Sequence, residues 1–371
     1  MRIVFAGGGT AGHINPAVAV ANYIRQKEQD SEILFIGTEE GMEKSLIPQN
    51  GYAISFIRVH GFSREISLSN IKNIFETLRS IGSAKKILKE FRPNIVIGTG
   101  GYVSGPVIYA AAKLGFPTLI HESNAYPGLT TKICARYADI TALGMSAAKE
   151  RLPKARRIEV TGNPVRPSIL QMPSSEARRK LKLDERPFLF FVGGSLGAAH
   201  FNRVVTEWIC TEGLSGKYQI LMGTGRNNQF DEVLRQFRAF SAEPEQYPHI
   251  QVREYVYDMD AVLNAADVIV SRAGASTLSE ITALGKASIL VPSPYVTENH
   301  QEHNARFLER RGGCRVITEA ELTRESLQKN LQEILTQKNI LDNMRKASKS
   351  VGVTDTSDKI YRLCKTLIKS D

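Results

Sequence analysis

Short apolar runs alternate along this chain with longer stretches in which apolar residues recur every three or four positions. Residues 3–6, 33–36, 54–58, 95–97, 118–121, 139–142 and 158–161 are runs of three to five residues, too short for helices, and they predict buried strands. Between them, Val18, Ala19, Ala21 and Ile24 sit at helical spacing from Pro16 onward, as do residues 107–114. Residues 70–92 predict a further helix, with Ile71, Ile74, Phe75, Leu78 and Ile81 on one stripe. Glycines gather where strands end, at 7–9 and at 98–101. Alternating strands and helices with glycine at the strand ends predict a parallel, doubly wound α/β sheet.

The rhythm breaks at Gly162-Asn163-Pro164-Val165-Arg166-Pro167 and then restarts. A charged helical stretch at 174–183 leads to a strand at 187–192 and a second glycine turn at 193–198. Apolar runs at 218–222, 250–252, 268–270 and 288–291 continue the series. The chain is thus expected to form two Rossmann-like domains, 1–165 and 166–351, with a C-terminal helix within 352–371 returning to the first. Two such domains facing each other across a cleft would line both walls with strand ends and helix N-termini, where open α/β sheets bind ligands.

The opening turn illustrates the chemistry this pattern offers. A helix that follows a glycine turn points unpaired N–H groups and its positive dipole end at whatever fills the loop. His13 adds a titratable imidazole at that edge. Gly7, Gly9 and Gly12 also satisfy G-x-G-x-x-G, with Glu39 as a candidate ribose partner, which is the dinucleotide fingerprint. A dehydrogenase needs only one nucleotide half, and the second glycine turn weighs against that reading. Residues 271–280, SRAGASTLSE, form a strand end, a small-residue turn and a helix start. Backbone N–H groups there suit a diphosphate, Arg272 suits phosphate oxygens, and Glu280 could accept from both hydroxyls of a ribose. Thr277 and Glu280 also fit a capping box. Asp258-Met259-Asp260 is a D-x-D that reads as helix N-cap and first-turn acid rather than as a metal site. His300 and His303 have no nearby third ligand, so no zinc site is expected.

The 371 residues carry 48 Lys and Arg against 38 Asp and Glu, a net charge of +10. That balance suits an anionic partner or a solvated basic surface. No nucleic-acid module accompanies it. The four cysteines form no C-x-x-C pair, which fits reduced thiols. The first apolar run stops at Gly7, so it is not expected to be a signal peptide, and no window reaches the roughly 18 apolar residues of a spanning helix. Lys72, Arg79, Lys85, Lys86, Lys89 and Arg92 supply six positive charges to the 70–92 helix against Glu76 and Glu90. That face is either a solvated flank or a basic apolar patch for anionic lipid.

Seven segments occur in order: GGGTAGHINPA, GTGGYVSGP at 98–106, HESNAYPG at 121–128, GNPVR at 162–166, GGSLGA at 193–198, SRAGASTLSE at 271–280 and NHQEHNA at 299–305. Together they closely resemble the MurG family of peptidoglycan N-acetylglucosaminyltransferases, over nearly the whole chain. The resemblance implies the two-domain GT-B fold and inverting transfer of GlcNAc from UDP-GlcNAc to the muramyl sugar of undecaprenyl-pyrophosphoryl-MurNAc-pentapeptide, lipid I, giving lipid II. It implies a peripheral enzyme on the cytoplasmic face of the cell membrane, docked on anionic phospholipid, with neither cofactor nor metal. Carried over residue by residue, the backbone of Thr10, Ala11 and Gly12 lies near the sugar and diphosphate. Asn124 and Gln301 bind sugar hydroxyls, and Arg166 and Ser195 face the phosphates. Val256, beside Tyr255, holds the uracil edge, and Ala275, Ser276, Thr277, Leu278, Ser279 and Glu280 take phosphate and ribose. Family members often have glycine where this chain has Ala11, so its loop is expected to be stiffer. His13 is the candidate base, since an unperturbed imidazole pKa of about 6.5 suits work near neutrality. Its alternative role is to position substrate or loop by hydrogen bonding, and Glu122 is the reserve. The loops 61–64 and 100–102 are candidate acceptor-side elements. A UDP-GlcNAc 2-epimerase of the same fold and an NAD(P)-dependent oxidoreductase are the alternatives.

Overall fold

The computed structural model describes residues 1–59 and 68–369; the side chains of residues 68–75, 77 and 369 are outside that description, as is the expected acceptor-side loop at 61–64. The chain divides into two compact units, Met1–Pro164 with Asp355–Asp371, and Val165–Thr354.

The first unit is built on seven parallel strands: β1 (Arg2–Gly7), β2 (Glu32–Gly37), β3 (Ala53–Phe56), β4 (Ile95–Gly100), β5 (Thr118–Glu122), β6 (Ile140–Leu143) and β7 (Ile158–Val160). Their order is β3-β2-β1-β4-β5-β6-β7, so the winding reverses between β1 and β4. Strand β1 shows why its run is continuously apolar. Val4 and Ala6 face one core with Val96 and Val107, while Ile3 and Phe5 face another with Ile14 and Ile24. A strand covered on both faces has no solvent side to carry polar residues. The C-terminal helix Thr356–Lys369 belongs to this unit and buries Ile360 and Cys364. Tyr23 donates to Asp358 at 2.7 Å, and Tyr361 and Lys365 both donate to Glu28 at 2.8 Å, which fixes the helix against Ala11–Lys27.

The second unit repeats the plan with β8 (Phe188–Val192), β9 (Gln219–Gly223), β10 (Ile250–Arg253), β11 (Val268–Ser271), β12 (Ala287–Leu290) and β13 (Arg315–Val316). The order β10-β9-β8-β11-β12-β13 reverses between β8 and β11. Its core centres on Trp208, which is fully buried and packs with Phe191, ring centroids 5.5 Å apart. Two-residue β13 leaves no period in the sequence and was not expected.

One local expectation fails. The first helix begins at Ala11, ahead of Pro16 rather than after it. An interior proline loses the N–H bond and crowds the carbonyl four residues back, and core packing of Ile14, Ala17 and Val18 holds the helix together across it. His13 therefore sits in the first helical turn.

Candidate active site

In the first unit, the turn after β1 and the end of β4 meet where the winding reverses, which is where doubly wound sheets hold ligands. Thr10 is the N-cap of Ala11–Lys27, but its side chain makes no capping bond. His13 Nδ1 lies 3.2 Å from the Thr99 carbonyl, and Thr99 Oγ1 donates to the His13 carbonyl at 2.8 Å. A carbonyl can only accept, so in this hydrogen bond Nδ1–H is the donor. Loop 100–102 flanks this point, with the Tyr102 ring 3.3 Å from where a Cβ on Gly9 would stand.

Glu122, the reserve candidate for the base, stands at the end of β5. It is buried and accepts four bonds: Asn124 N–H at 2.9 Å, Asn124 Nδ2 at 3.3 Å, Gly128 N–H at 3.0 Å and Thr131 Oγ1 at 2.6 Å. A carboxylate so engaged shapes the 123–128 loop, and taking up a proton would cost it those bonds. Asn124 is thereby oriented by Glu122. His121 is wholly buried and shares a hydrogen bond with the Gly162 carbonyl at 3.0 Å; burial pushes its pKa down, which keeps the ring neutral. Asn163 donates to the Ser123 carbonyl at 3.0 Å, so the HESN and GNP motifs brace one another.

In the second unit, an open pocket lies at the β8/β11 reversal, at the strand ends where doubly wound sheets bind ligands. Its apolar floor includes Phe190, Leu263 and Ile269, and its rim includes Gly194, Ser195, Val256, Thr277 and Glu280. The helix Ala275–Leu284 starts at this rim. Its N-cap is Gly274, so no side chain caps its first N–H groups, and the Thr277–Glu280 capping box does not form. Glu280 turns to Arg166 instead, accepting from Nε at 3.1 Å. Burial raises the Glu280 pKa and Arg166 opposes the rise. Near-complete burial of Val256 and the Arg226 guanidinium 4.7 Å above the Tyr255 ring stiffen the segment expected to face a base.

Three of the expected contact residues have further partners within the protein. Arg272 lines the pocket, yet its guanidinium is bound by Glu319 through two hydrogen bonds, one of 3.1 Å, and by the Val291 carbonyl at 3.2 Å. It ties three strand ends together, and in this conformation its fork is not turned to a phosphate. Leu278 points into the core, 2% exposed, so only its backbone faces the helix start. Gln301 Oε1 accepts from Ala273 N–H at 3.2 Å and Ser293 N–H at 3.0 Å, leaving its amide N–H₂ end to serve a ligand. Ala275, Ser276 and Ser279 are half-buried on the first turns of the same helix, and the Ser279 hydroxyl is bonded back to the Ala275 carbonyl at 2.8 Å.

Asp258 does occupy an N-cap position, but its carboxylate accepts from Arg253 at 2.8 Å rather than capping. Among the described residues no group of three side chains is disposed to hold a metal. Sequence reasoning missed Glu43, Thr99 and Glu319. Each acts on a residue 34, 86 or 47 positions away, and no local pattern marks such a partner.

Two doubly wound parallel sheets, each with a glycine turn at its winding reversal, one beside a histidine and one beside a pocket, are the two-domain plan of GT-B glycosyltransferases. Residues 3–143 match the glycosyltransferase family 28 N-terminal domain and residues 188–360 its C-terminal domain. The chain belongs to glycosyltransferase family 28, within its MurG-type branch. A protein of Caldanaerobacter subterraneus subsp. tengcongensis is 44% identical over 99% of this chain and 100% of its own length. It is named UDP-N-acetylglucosamine--N-acetylmuramyl-(pentapeptide) pyrophosphoryl-undecaprenol N-acetylglucosamine transferase. The crystal structure of Acinetobacter baumannii MurG is 26% identical with a TM-score of 0.80, covering 98% of this chain and 99% of that one. A putative UDP-N-acetylglucosamine 2-epimerase from Listeria monocytogenes shares the fold at 15% identity and a TM-score of 0.70, covering 100% of this chain and 97% of that one.

Proposed function

We propose that this chain transfers GlcNAc from UDP-GlcNAc to the 4-hydroxyl of the muramyl sugar of lipid I, with inversion, to give lipid II. The observation that carries the reading is the second-unit pocket, where an uncapped helix N-terminus, an open glycine turn and a half-buried carboxylate converge on a chain of this family. Uracil lies along Val256, the ribose hydroxyls donate to Glu280, and the diphosphate rests on the first N–H groups of Ala275–Leu284 with Ser195 and Arg166. Arg166 exchanges its bond with Glu280 for the phosphates when nucleotide binds. Gln301 and Asn124 hold sugar hydroxyls.

The first unit contributes the acceptor side. Nε2 of His13 removes the acceptor hydroxyl's proton as that oxygen bonds to C1 of GlcNAc and the C1–O bond to UDP breaks. The backbone of Thr10, Ala11 and Gly12 lies near the transferred sugar and the diphosphate. Negative charge gathering on the departing diphosphate is met by fixed N–H dipoles, which need no reorganisation.

The enzyme works at the membrane surface on the cytoplasmic face. The first unit has 24 Lys and Arg against 16 Asp and Glu, and the second 24 against 22. On the helix Leu68–Phe91, Leu78 is 59% exposed beside exposed Arg79, Lys86 and Lys89, which suits anionic phospholipid. Lys72 of the expected patch lies among the side chains outside the description. No described helix is long and apolar enough to cross a membrane.

The test is incubation of the purified protein with UDP-GlcNAc, with and without lipid I. UDP release coupled to lipid II, only when lipid I is present, is the expected result. Epimerised sugar from donor alone would overturn it.

A further inference from the structure

The first glycine turn closes over a buried carboxylate that the transfer reaction does not use directly. Glu43 opens the short helix Glu43–Gln49 and has no exposed surface. Its Oε2 accepts the Gly9 N–H at 2.9 Å. Its Oε1 accepts both the N–H and the hydroxyl of Thr38, each at 2.9 Å. Three glycines make room for it. A Cβ on Gly8 would stand 2.3 Å from Oε1, one on Gly41 2.1 Å from Oε2, and one on Gly37 2.5 Å from Cγ. Burying a carboxylate costs several kcal/mol unless its lone pairs are met. Here the donors that meet them come from the ends of β1 and β2, so the charge joins the two strand ends.

We propose that Glu43 is a positioning residue: by holding the Gly9 N–H it sets the path of Thr10–Gly12 and thereby aims His13 at the acceptor hydroxyl. The inference rests on the reading of His13 as base. Gly9 immediately precedes the N-cap, and His13 lies in the first turn beyond it. Thr99 ties His13 on its β4 side, and Glu43 ties Gly9 on the β2 side. With both ends tied, the intervening N–H groups and the imidazole keep one orientation. Loss of the Gly9 tie leaves the turn free to rotate about the Thr99 contact.

Glu43→Gln keeps the volume but, in either amide orientation, sets a donor against a donor. The expected result is a kcat reduced roughly 10- to 100-fold, with KM for UDP-GlcNAc and affinity for UDP unchanged within about twofold. In a His13→Ala background the same substitution is expected to cost less than about threefold, because a residue acting through His13 has nothing left to aim. A kcat within about twofold of the parent, or an equal loss with and without His13, overturns the proposal. If Glu43→Gln does not fold, Thr38→Val removes one bond to the same carboxylate and is read in the same two backgrounds, with the same interpretation. If the parent protein transfers no GlcNAc, the proposed function falls, and the positioning claim is still read by NMR. The His13 imidazole resonances should move in Glu43→Gln while those of His249 stay; unmoved His13 resonances overturn it.

Discussion

At the end of β1, the turn 7–12 wraps a carboxylate supplied by the protein itself, with Glu43 on the Gly9 N–H at 2.9 Å. At the end of β8, the turn 193–198 is open. Gly194 has φ of +102° and nothing among the described residues within 4 Å of where its Cβ would be, and it lines the second-unit pocket. Both turns follow an apolar strand, precede a helix and sit at a winding reversal. The difference teaches that a glycine turn specifies backbone that can be approached closely, and leaves open what approaches it. In the first unit a side chain does, and the turn becomes a mount for His13. In the second, Gly194 opens onto the pocket.

The sharpest way to break this comparison is His13→Ala. If the first turn serves chemistry, turnover should fall about 10²- to 10⁴-fold, with UDP affinity unchanged by calorimetry; weakened UDP binding would place nucleotide at the wrong turn. Glu280→Ala should do the reverse, weakening UDP by about 1.5–3 kcal/mol. This contact has a pH signature. Ribose hydroxyls need the ionised carboxylate, and burial raises the Glu280 pKa. UDP affinity should therefore be full well above that raised pKa and decline as pH falls through it, while Glu280→Gln removes the decline.

Paired glycine substitutions sharpen the contrast further. Gly8→Ala drives a Cβ into Glu43 and should lower stability by about 1–3 kcal/mol in a denaturant titration. Gly194→Ala meets only the strain of a positive φ, about 1–2 kcal/mol, and should register mainly as weaker UDP binding. Equal effects on both readouts would erase the distinction. The smallest effect concerns charge. Reversing Lys85 and Lys86 to Glu should weaken binding to anionic liposomes by about 1 kcal/mol per charge at low salt. Binding insensitive to both salt and reversal would leave the basic excess of the first unit without a lipid role.

Much of this was legible along the chain. The central strands of the two sheets announced themselves as apolar runs, because strands covered on both faces cannot alternate. The turns at 7–12, 193–198 and 271–280 were visible because glycine and small residues punctuate local backbone. The helix start at Ala11 was obscured by Pro16, whose penalty in a helix is local while the packing of Ile14 and Ala17 is not.

Sequence alone thus determined the doubly wound halves, the positions of the glycine turns and the candidates His13 and Glu280, since each depends on residues close together in the chain. Only the tertiary structure decided what those turns face. It gave Glu43 to one and a pocket to the other, turned Arg272 toward Glu319, set Glu280 against Arg166 and engaged Glu122 in its own loop. The physical reason is that hydrogen bonds and charge pairing act through space over a few ångströms, between groups that folding brings together from distant positions, and no local period records such a meeting.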